Sequence, residues 1–324
     1  MPPACRLCHN ARENVAYLAK EMMFGTRDEF EYFECSACGT VQIGDIPELA
    51  KYYPANYLSF DSTVVMGETL ARRVAARFAG TFFRTGRGLP GRLALRLKPW
   101  IADHYPRSMR FPVLKLDRGS RILDVGCGRG QLLQSLHHFG FRDLTGIDPF
   151  IDSDVTYPTG VRVLKRRPED LEPAFDLIMM HHSLEHVPDP LATLQALNRL
   201  LADDGTLLVR IPVAADAWQT YRTDWVQMDP PRHLYLFTER ALGSVAEAAG
   251  LSVAHVQYDS TEFQFWGSEQ YRRGVPLVGP GPFRGFVPSV EFEPGQIERW
   301  REEAERLNAR HRGDQACFYL KRSR

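Results

Sequence analysis

The sequence predicts an α/β fold in which helices cover both faces of a mostly parallel β-sheet. The first observation is a β-prone run at 121–125 that ends in a glycine cluster and is followed, at 131–136, by residues at helical spacing. The second is a continuous apolar run at 175–180, as expected for a strand buried on both faces of a parallel sheet. The 324 residues, 44% of them hydrophobic, are enough to bury a full-sized core.

The charge and hydropathy of the sequence limit the kinds of partner that the protein can have. The 40 basic and 40 acidic side chains balance, so no global charge attracts nucleic acid or a membrane. No run approaches the roughly 18 apolar residues of a membrane helix, and the N-terminus lacks the apolar segment of a signal peptide. We therefore expect a soluble cytoplasmic protein without a transmembrane segment, and no pattern in the sequence specifies its oligomeric state.

Four of the six cysteines form two Cys-x-x-Cys pairs, Cys5 with Cys8 and Cys35 with Cys38. Without a secretion signal such pairs indicate a metal before a disulfide, and each pair can direct two thiolates at one tetrahedral Zn²⁺. Residues 1–50 are therefore predicted to form a small zinc ribbon. Four thiolates leave no open coordination position, so the zinc would be structural. A redox Cys-x-x-Cys and unrelated free thiols are the alternatives.

Residues 51–109 are predicted to link the ribbon to the main domain. The stretch 52–60 is aromatic and broken by proline, so we expect a loop whose rings either cover a ligand or attach the ribbon. Residues 61–98 have a helical pattern, with breaks at the glycines of 86–88 and at the Pro-Gly of 90–91, and form the strongly basic segment of the chain. Such a run is commonly a solvated helix face, but a phosphate-bearing substrate or an anionic surface would meet the protein here.

The glycine cluster predicts a binding site for a small ligand. Glycine has no Cβ, so backbone N–H groups and the positive end of the next helix can approach the ligand closely. The spacing of Gly126, Gly128 and Gly130 departs from the dinucleotide fingerprint G-x-G-x-x-G, because Gln131 occupies the place of the third glycine. Asp124, just before the turn, would repel a pyrophosphate. We expect a ligand that tolerates or attracts negative charge.

The run LDVGCGRG at 123–130 resembles motif I of the class I S-adenosylmethionine-dependent methyltransferases. The resemblance covers most of residues 110–260. It implies a Rossmann-like fold with a mixed seven-stranded sheet, which would occupy residues 110–324 with an insertion at about 260–315. In that family the glycine turn approaches the methionine part and the ribose of S-adenosylmethionine, which carries a sulfonium and an ammonium but no phosphate.

Further cofactor contacts are predicted after the next strands. Residues 144–148 have the pattern of a strand that ends at Asp148, whose carboxylate can accept two hydrogen bonds from ribose hydroxyls. The resemblance places an adenine contact at Glu169 or Asp170, for which surface charge is the alternative. His181, at the end of the apolar run, is assigned to the cofactor pocket.

The segment HHSLEHV at 181–187 leaves the sheet edge where ligands bind in open α/β folds. It resembles the LEHV motif of many class I methyltransferases. His182, Glu185 and His186 have i, i+3, i+4 spacing, which one helical turn would bring to one face. The spacing also resembles the E-x-x-E-H metal motif of ubiquinone-type and small-RNA O-methyltransferases, with His182 replacing the first Glu. Many relatives with LEHV use no metal, so we favour a cofactor-pocket or acid/base role.

The loop DPPRHLYLFT at 229–238 is predicted to overhang the same edge. Its Asp-Pro-Pro comes one strand too late for the N/D-P-P-Y/F motif of amino-methyltransferases, which argues against methylation of bases or amides. We expect transfer to an oxygen or carbon, for which a base near neutral pKa helps. His233 is the first candidate for this base and His182 the second. Structural hydrogen bonding is the alternative for each.

The remaining elements complete the predicted sheet. Strands are expected at 161–164, 206–212, 252–258 and 316–320. A helix capped by Asp189, with Pro190 at its first position, should be closed by Gly205, and a helix capped by Thr238 should end at Gly250.

Two broader resemblances imply the class of acceptor. The cysteine ribbon is similar to that of the zinc-bearing deoxysugar C-methyltransferases, although those have a further large C-terminal domain. The LEHV and DPPRHLYLFT segments together look like bacterial methyltransferases of polysaccharide biosynthesis or secondary metabolism. By analogy, the acceptor would be a sugar nucleotide, a glycan or a secondary metabolite.

Two other functions stay open at this stage. An RNA methyltransferase could use the ribbon to grip RNA, although Asp28, Glu29, Glu31 and Glu34 would repel phosphate, so a nucleic-acid partner is disfavoured. A non-catalytic protein that binds S-adenosylmethionine is the third possibility.

Overall fold

The computed structural model of the protein describes residues 2–53, 70–103, 105–110, 114–172, 174–279 and 285–323. The described backbone contains the following strands: β1 (Val15–Lys20), β2 (Glu29–Glu34), β3 (Val41–Ile43), β4 (Arg121–Val125), β5 (Asp143–Ile147), β6 (Val155–Thr156), β7 (Arg162–Leu164), β8 (Phe175–His181), β9 (Leu201–Pro212), β10 (Tyr235–Leu236), β11 (Leu251–Tyr258) and β12 (Gln315–Arg322).

The described α-helices are α1 (Leu70–Thr85), α2 (Leu89–Leu97), α3 (Trp100–Asp103), α4 (Gln131–His138), α5 (Pro190–Leu200), α6 (Asp216–Tyr221), α7 (Glu239–Ala248), α8 (Phe263–Arg272) and α9 (Gln296–Ala309). Along the described chain, every helix falls short of the length and hydropathy that a bilayer-spanning segment requires.

The large sheet has the strand order β11-β12-β9-β8-β4-β5-β7-β6. Its five central strands, from β9 to β7, run parallel, whereas β12 is antiparallel to both of its neighbours. This confirms the predicted Rossmann-like mixed sheet. The described sheet has eight strands where seven were predicted, because the two-residue strand β6 pairs antiparallel with β7 at one edge.

The central strands are buried on both faces. Leu123 pairs with Ile178 and packs in the core layer on one face, while their neighbours Ile122 and Leu177 pack in the layer on the other. All four side chains are fully buried. This confirms the interpretation of the apolar run in β8. A strand that is covered on both faces must be apolar throughout.

The predicted N-terminal caps of α5 and α7 are confirmed, whereas the predicted C-terminal end of α5 is wrong. Asp189 accepts a hydrogen bond from the N–H of Ala192 at 2.9 Å, and Thr238 accepts one from Ala241 at 3.1 Å. The prediction that Gly205 closes α5 is wrong. This helix ends at Leu200, and Gly205 lies inside β9, where a Cβ would come within 2.7 Å of the Phe175 carbonyl oxygen. The glycine is needed for the close approach of two strands.

The linker is described in part. Residues 54–69, which include most of the aromatic stretch and the start of the basic segment, lie outside the described residues. The predicted helical break at Pro90 is wrong because this proline occupies the first turn of α2, where a missing N–H costs nothing.

A second, smaller sheet has the order β1-β2-β3-β10. Its first three strands come from residues 15–43, but its fourth strand, β10, follows the 229–234 loop of the main domain. Tyr235 pairs with Gln42 and Leu236 with Val41. The N-terminal sheet therefore shares backbone hydrogen bonds with the segment that carries His233.

Candidate functional site

The glycine turn joins β4 to α4 and has the backbone that only glycine adopts readily. Gly126, Gly128 and Gly130 have φ angles of +75°, +52° and +76°. A Cβ on Gly126 would lie 2.8 Å from the Ser183 Cβ, and one on Gly130 would lie 2.6 Å from Val163 Cγ2. The turn is therefore tight on both sides. Its glycine N–H groups are used within the protein, since Gly126 donates to the Ile147 carbonyl and Gly130 to the Cys127 carbonyl.

Two acidic residues adjoin this turn. Asp124 is buried, and burial together with the negative charge of Asp148 raises the pKa of Asp124 to about 7. Asp148 Oδ2 accepts a hydrogen bond from the N–H of Gly128 at 3.0 Å, and its Oδ1 accepts one from Phe150 at 2.9 Å. Two neighbouring carboxyl groups favour a cation and repel a pyrophosphate. The residues therefore fit S-adenosylmethionine, which carries a sulfonium and an ammonium.

The other predicted cofactor residues, Glu169, Asp170 and His181, differ in their contacts. Asp170 Oδ2 accepts a hydrogen bond from the N–H of Arg167 at 2.9 Å and so closes a local turn. Glu169 is exposed beside it. His181 Nε2 lies 3.5 Å from Ser108 Oγ, and burial, with the positive charge of Arg210 nearby, lowers the pKa of His181 to about 3.

The segment after β8 lies directly against the glycine turn. Ser183 Oγ donates a hydrogen bond to the Val125 carbonyl at 2.9 Å. Residues Leu184–His186 form one 3-10 turn, and the carbonyl of Glu185 accepts a hydrogen bond from the N–H of Leu234 at 2.8 Å. The segment therefore connects the donor side of the site with the 229–234 loop.

His182 lies outside the 3-10 turn and has both ring nitrogens engaged. Arg210 Nη1 lies 2.7 Å from His182 Nε2, and since arginine can only donate, Nε2 must accept. The His182 Nδ1–H then faces Glu185 Oε1 at 3.3 Å. Arg210 is in turn fixed by Asp259, 2.7 Å away. The lone pair of His182 is therefore already used by a cation.

Among the described residues, His233 makes its hydrogen bond through Nδ1 and not through Nε2. The ring is buried, and its Nδ1 lies 2.7 Å from the Gln227 carbonyl, which can only accept, so Nδ1 carries the proton. Its Nε2 lies 3.9 Å from both Glu185 Oε1 and Asp229 Oδ2. His186 is oriented in the same way, with Nδ1 2.8 Å from the Arg232 carbonyl.

Glu185 is fully buried, and within the described residues neither of its carboxylate oxygens makes a well-directed hydrogen bond. Burial would raise the pKa of Glu185, but the contact with His182 and the nearby rings of His186 and His233 outweigh burial and lower it. A buried carboxylate with unused acceptor capacity points to a missing cation or to a donor on a substrate.

Glu185, His186 and His233 could hold a metal ion, because one ligand atom from each lies within 4.8 Å of the others. The sequence spacing instead suggested His182 with Glu185 and His186. The structure brings His233 to this position through a long-range contact, so the spacing of one segment could not reveal it. The sequence signal that pointed to His233 was the Arg232-His233 pair in the 229–238 loop, which was predicted to overhang this edge of the sheet.

Tyr52 and Tyr53 are the described residues of the aromatic stretch at 52–60, and they contact different parts of the protein. Tyr52 donates a hydrogen bond to Asp28 at 2.7 Å and so attaches to the ribbon. Tyr53 instead lies at the site, with its hydroxyl 3.2 Å from His186 Nδ1. Burial first, and then the charges of Asp229, Glu185 and Asp148, raise the pKa of Tyr53.

Residues near the N-terminus support the loop that carries His233. Arg232 is fully buried and donates to Asp229 at 2.9 Å and to Glu21 at 2.8 Å. Tyr32 donates a hydrogen bond to the His233 carbonyl at 2.8 Å. Tyr32 lies in β2 and Glu21 directly follows β1, and no pattern in the sequence indicated this role.

The four N-terminal cysteines converge in space. The Sγ atoms of Cys5 and Cys38 lie 3.7 Å apart and those of Cys8 and Cys35 lie 3.5 Å apart, and all four lie within 4.8 Å of one another. A disulfide needs about 2.05 Å, whereas tetrahedral Zn–S bonds of about 2.3 Å place the sulfurs about 3.8 Å apart. The donor set therefore fits Zn²⁺.

Each cysteine pair is followed by a residue in the left-handed conformation. Gly39 has a φ angle of +74° and His9, at the equivalent place in the first pair, +60°. Gln42 Nε2 donates to Cys5 Sγ at 3.1 Å. The two turns therefore have matching backbones, and one sulfur is already oriented by an outer hydrogen bond.

The central part of the chain is similar to known proteins. Residues 101–256 match a family model described as a methyltransferase domain. The chain is 29% identical over 186 residues to a ubiquinone biosynthesis O-methyltransferase of Neisseria meningitidis serogroup C, a match that covers 46% of this chain and 76% of that protein. A protein of the same description from Xanthomonas campestris is 33% identical over 102 residues, which cover 28% of this chain and 42% of that protein.

Among solved structures, an S-adenosylmethionine-dependent methyltransferase from Mesorhizobium loti is 17% identical to this chain. The alignment covers 65% of this chain and 96% of that one, with a TM-score of 0.39.

Proposed function

We propose that this chain, whose residues 101–256 match a methyltransferase-domain model, transfers a methyl group from S-adenosylmethionine to an oxygen or carbon of a small-molecule acceptor. The observation that carries the proposal is the group formed by the buried Glu185 and His233 with the half-buried His186, on the segments that adjoin the glycine turn. A hydroxyl is the favoured acceptor group, since both curated relatives are named as O-methyltransferases. A sugar nucleotide, a glycan or a secondary metabolite would each offer such a group.

The donor side would hold S-adenosylmethionine through charge and backbone contacts. In this proposal the turn 126–130 receives the methionine part, Asp124 faces the positive groups, Asp148 binds the ribose hydroxyls and Glu169 lies nearest the adenine. The cofactor supplies an electrophilic methyl group on its sulfonium. Much of the rate would come from positioning, because holding two reactants in line can supply several kcal/mol, about 7–11 in favourable cases.

His233 would act as the general base. Its Nε2 lone pair faces the site, and Glu185 and Asp229, each 3.9 Å away, would stabilise the imidazolium that forms when it takes the acceptor proton. The acceptor oxygen then attacks the methyl carbon, and the sulfur keeps the electron pair of the broken S–C bond. His182 is the second candidate, but its Nε2 already accepts from Arg210.

A divalent cation held by Glu185, His186 and His233 is the second way to activate the acceptor. One observation favours it: both imidazoles direct Nδ1 at a backbone carbonyl, the arrangement that orients metal-ligating histidines. A bound cation would lower the pKa of an acceptor hydroxyl and would use the open acceptor capacity of Glu185.

We also propose a structural Zn²⁺ on Cys5, Cys8, Cys35 and Cys38. It would stabilise a ribbon of residues 1–50, followed by a linker at 51–109 and the main domain at 110–324. Because β3 pairs with β10, the zinc would act on catalysis through the position of the His233 loop.

The test measures the activity of two histidine variants on a panel of hydroxyl-bearing acceptors that includes nucleotide sugars. In His233→Asn the amide can replace the Nδ1–H but not the Nε2 lone pair, so we expect kcat to fall about 10²–10⁴-fold with donor affinity unchanged. His182→Asn is the matched control and should keep most activity. Formation of the demethylated cofactor is the measurement.

Two results would contradict the proposal. Donor binding without turnover on any acceptor would favour a non-catalytic binding protein. Full activity of His233→Asn would exclude His233 both as base and as metal ligand. Loss of activity on chelation, with the four-cysteine zinc still bound and recovery on adding Mg²⁺ or Mn²⁺, would select the metal-assisted route.

A further inference from the structure

The helical hairpin of α1 and α2 carries the strongest local charge in the chain. From residue 70 to residue 98 there are eight basic side chains and no acidic one, although the whole chain is neutral. The basic residues are Arg72, Arg73, Arg77, Arg84, Arg87, Arg92, Arg96 and Lys98. Nothing in the proposed methyl transfer uses this surface.

One glycine fixes the hairpin against the main domain, and a second holds its two helices together. Gly80 lies where a Cβ would overlap the Phe139 carbonyl at the end of α4, and Gly91 lies where a Cβ would overlap the Phe78 carbonyl of α1. Ala76 and Ala79 are fully buried on the same side of α1. The close contacts determine which face of each helix is covered and which is left outside.

The outer face of α2 is apolar. Leu89, Leu93 and Leu97, at i, i+4 and i+8, are 81%, 56% and 70% exposed, whereas Gly91 faces α1. Single exposed apolar residues are common, but three leucines along one side of a nine-residue helix form a stripe. Val74 and Phe78 add exposed apolar surface on α1.

A cationic recess lies between α1, the end of α4 and the turn before β7. It has a volume of about 250 Å³ and is lined by Arg73, Arg77, His137, His138, Pro158 and Thr159. Burial, and then the positive charges of Arg142, His138, Arg77 and Arg73, lower the pKa of His137. The recess therefore collects positive charge in a volume suited to a phosphate group.

We propose that the hairpin docks the protein on the surface of an anionic phospholipid bilayer. The leucines enter the interfacial region, the arginines lie among the phosphates, and the recess takes one headgroup. Basic helices that expose leucine on one face bind membranes in this way, because apolar burial and attraction to anionic lipid add together. RNA would satisfy the arginines but would leave the leucine stripe in water.

The docked orientation leaves the methyl-transfer site open. α4 begins at the glycine turn and ends against the hairpin, and the recess is completed by the turn before β7, at the opposite edge of the sheet. Docking through this recess would therefore place the bilayer at the end of α4 that lies away from the glycine turn. The proposal does not depend on methyl transfer and can be tested without an acceptor.

The experiment measures sedimentation of the full-length protein with vesicles at about 0.15 M salt. The vesicles are phosphatidylcholine alone or phosphatidylcholine with about one third phosphatidylglycerol. We expect binding to the anionic vesicles at least about tenfold tighter than to the neutral ones. The triple variant Leu89→Gln, Leu93→Gln, Leu97→Gln and the double variant Arg73→Glu, Arg77→Glu should each lose about tenfold or more.

Leu18→Gln, which removes an exposed leucine from β1, is the matched control and should bind like the parent protein. Unchanged thermal unfolding and donor affinity would verify that the variants fold. Equal binding to both vesicle types, or no effect of the leucine substitutions, would overturn the proposal. So would a dimer in solution that the leucine variant dissociates, or binding to RNA that only the arginine variant loses.

Discussion

The two sides of the proposed site are built in different ways. The donor side consists of one strand, one turn and one helix, with Asp124 and the glycines inside a run of seven residues. The acceptor side joins Glu185 and His186 to His233, 47 residues after His186, and is supported by Tyr32 of β2 and by Glu21, which follows β1. The donor side depends on backbone conformation, whereas the acceptor side depends on long-range contacts.

The two sides should therefore be disrupted by different kinds of substitution. A local turn fails when one residue takes a conformation that its side chain forbids. A site assembled from distant segments fails when any supporting segment moves, even one that touches no substrate. Substitutions on the two sides should therefore separate donor affinity from turnover.

The largest effect is expected on the donor side from Gly126→Val. The residue has a φ angle of +75°, and a Cβ would lie 2.8 Å from Ser183, so the turn must open. We expect donor affinity, measured by titration calorimetry, to fall about 100-fold or more. Gly160→Val is the control. Gly160 also has a positive φ angle, +88°, but a Cβ added there would meet no atom within 4 Å outside the adjacent residues. Equal losses in both variants would attribute the effect to general backbone strain.

An intermediate effect is expected on the acceptor side from Cys35→Ser. Loss of the proposed zinc should loosen the β3–β10 pairing and the Tyr32 contact to the His233 carbonyl. We expect kcat to fall about tenfold or more, with donor affinity changed much less. Zinc content is measured alongside kcat, and Cys317→Ala, outside the cluster, should keep its zinc. A parallel loss of donor affinity and kcat would mean that the ribbon stabilises the whole domain.

A smaller effect is expected from pH on donor binding. The pKa of Asp124 is raised to about 7 by burial and Asp148, so below pH 7 this carboxyl is largely protonated. A cationic donor favours the ionised form, and binding at low pH must release the proton. We expect affinity to rise between pH 6 and pH 7 by up to about tenfold and to level off above. Asp124→Asn should bind more weakly with a flat profile, and the same slope in that variant would exclude Asp124 as its source.

Much of the fold could be predicted from the sequence because its signals are local. The Asp189 and Thr238 caps and the apolar β8 strand each depend on a few neighbouring residues, and the structure has them where they were predicted. Where the predictions fail, a distant segment is the cause. Gly205 has the composition of a helix end, but it belongs to a strand that approaches the Phe175 carbonyl.

The sequence by itself determined the glycine turn, the two cysteine pairs and the alternation of strands and helices. Each of these follows from backbone and side-chain preferences within about ten residues. Only the tertiary structure decided that His233 joins Glu185 and His186, that β10 completes the N-terminal sheet, and that the α2 leucines stay exposed. These depend on which surfaces meet when the chain packs, and packing joins residues whose separation no local pattern records.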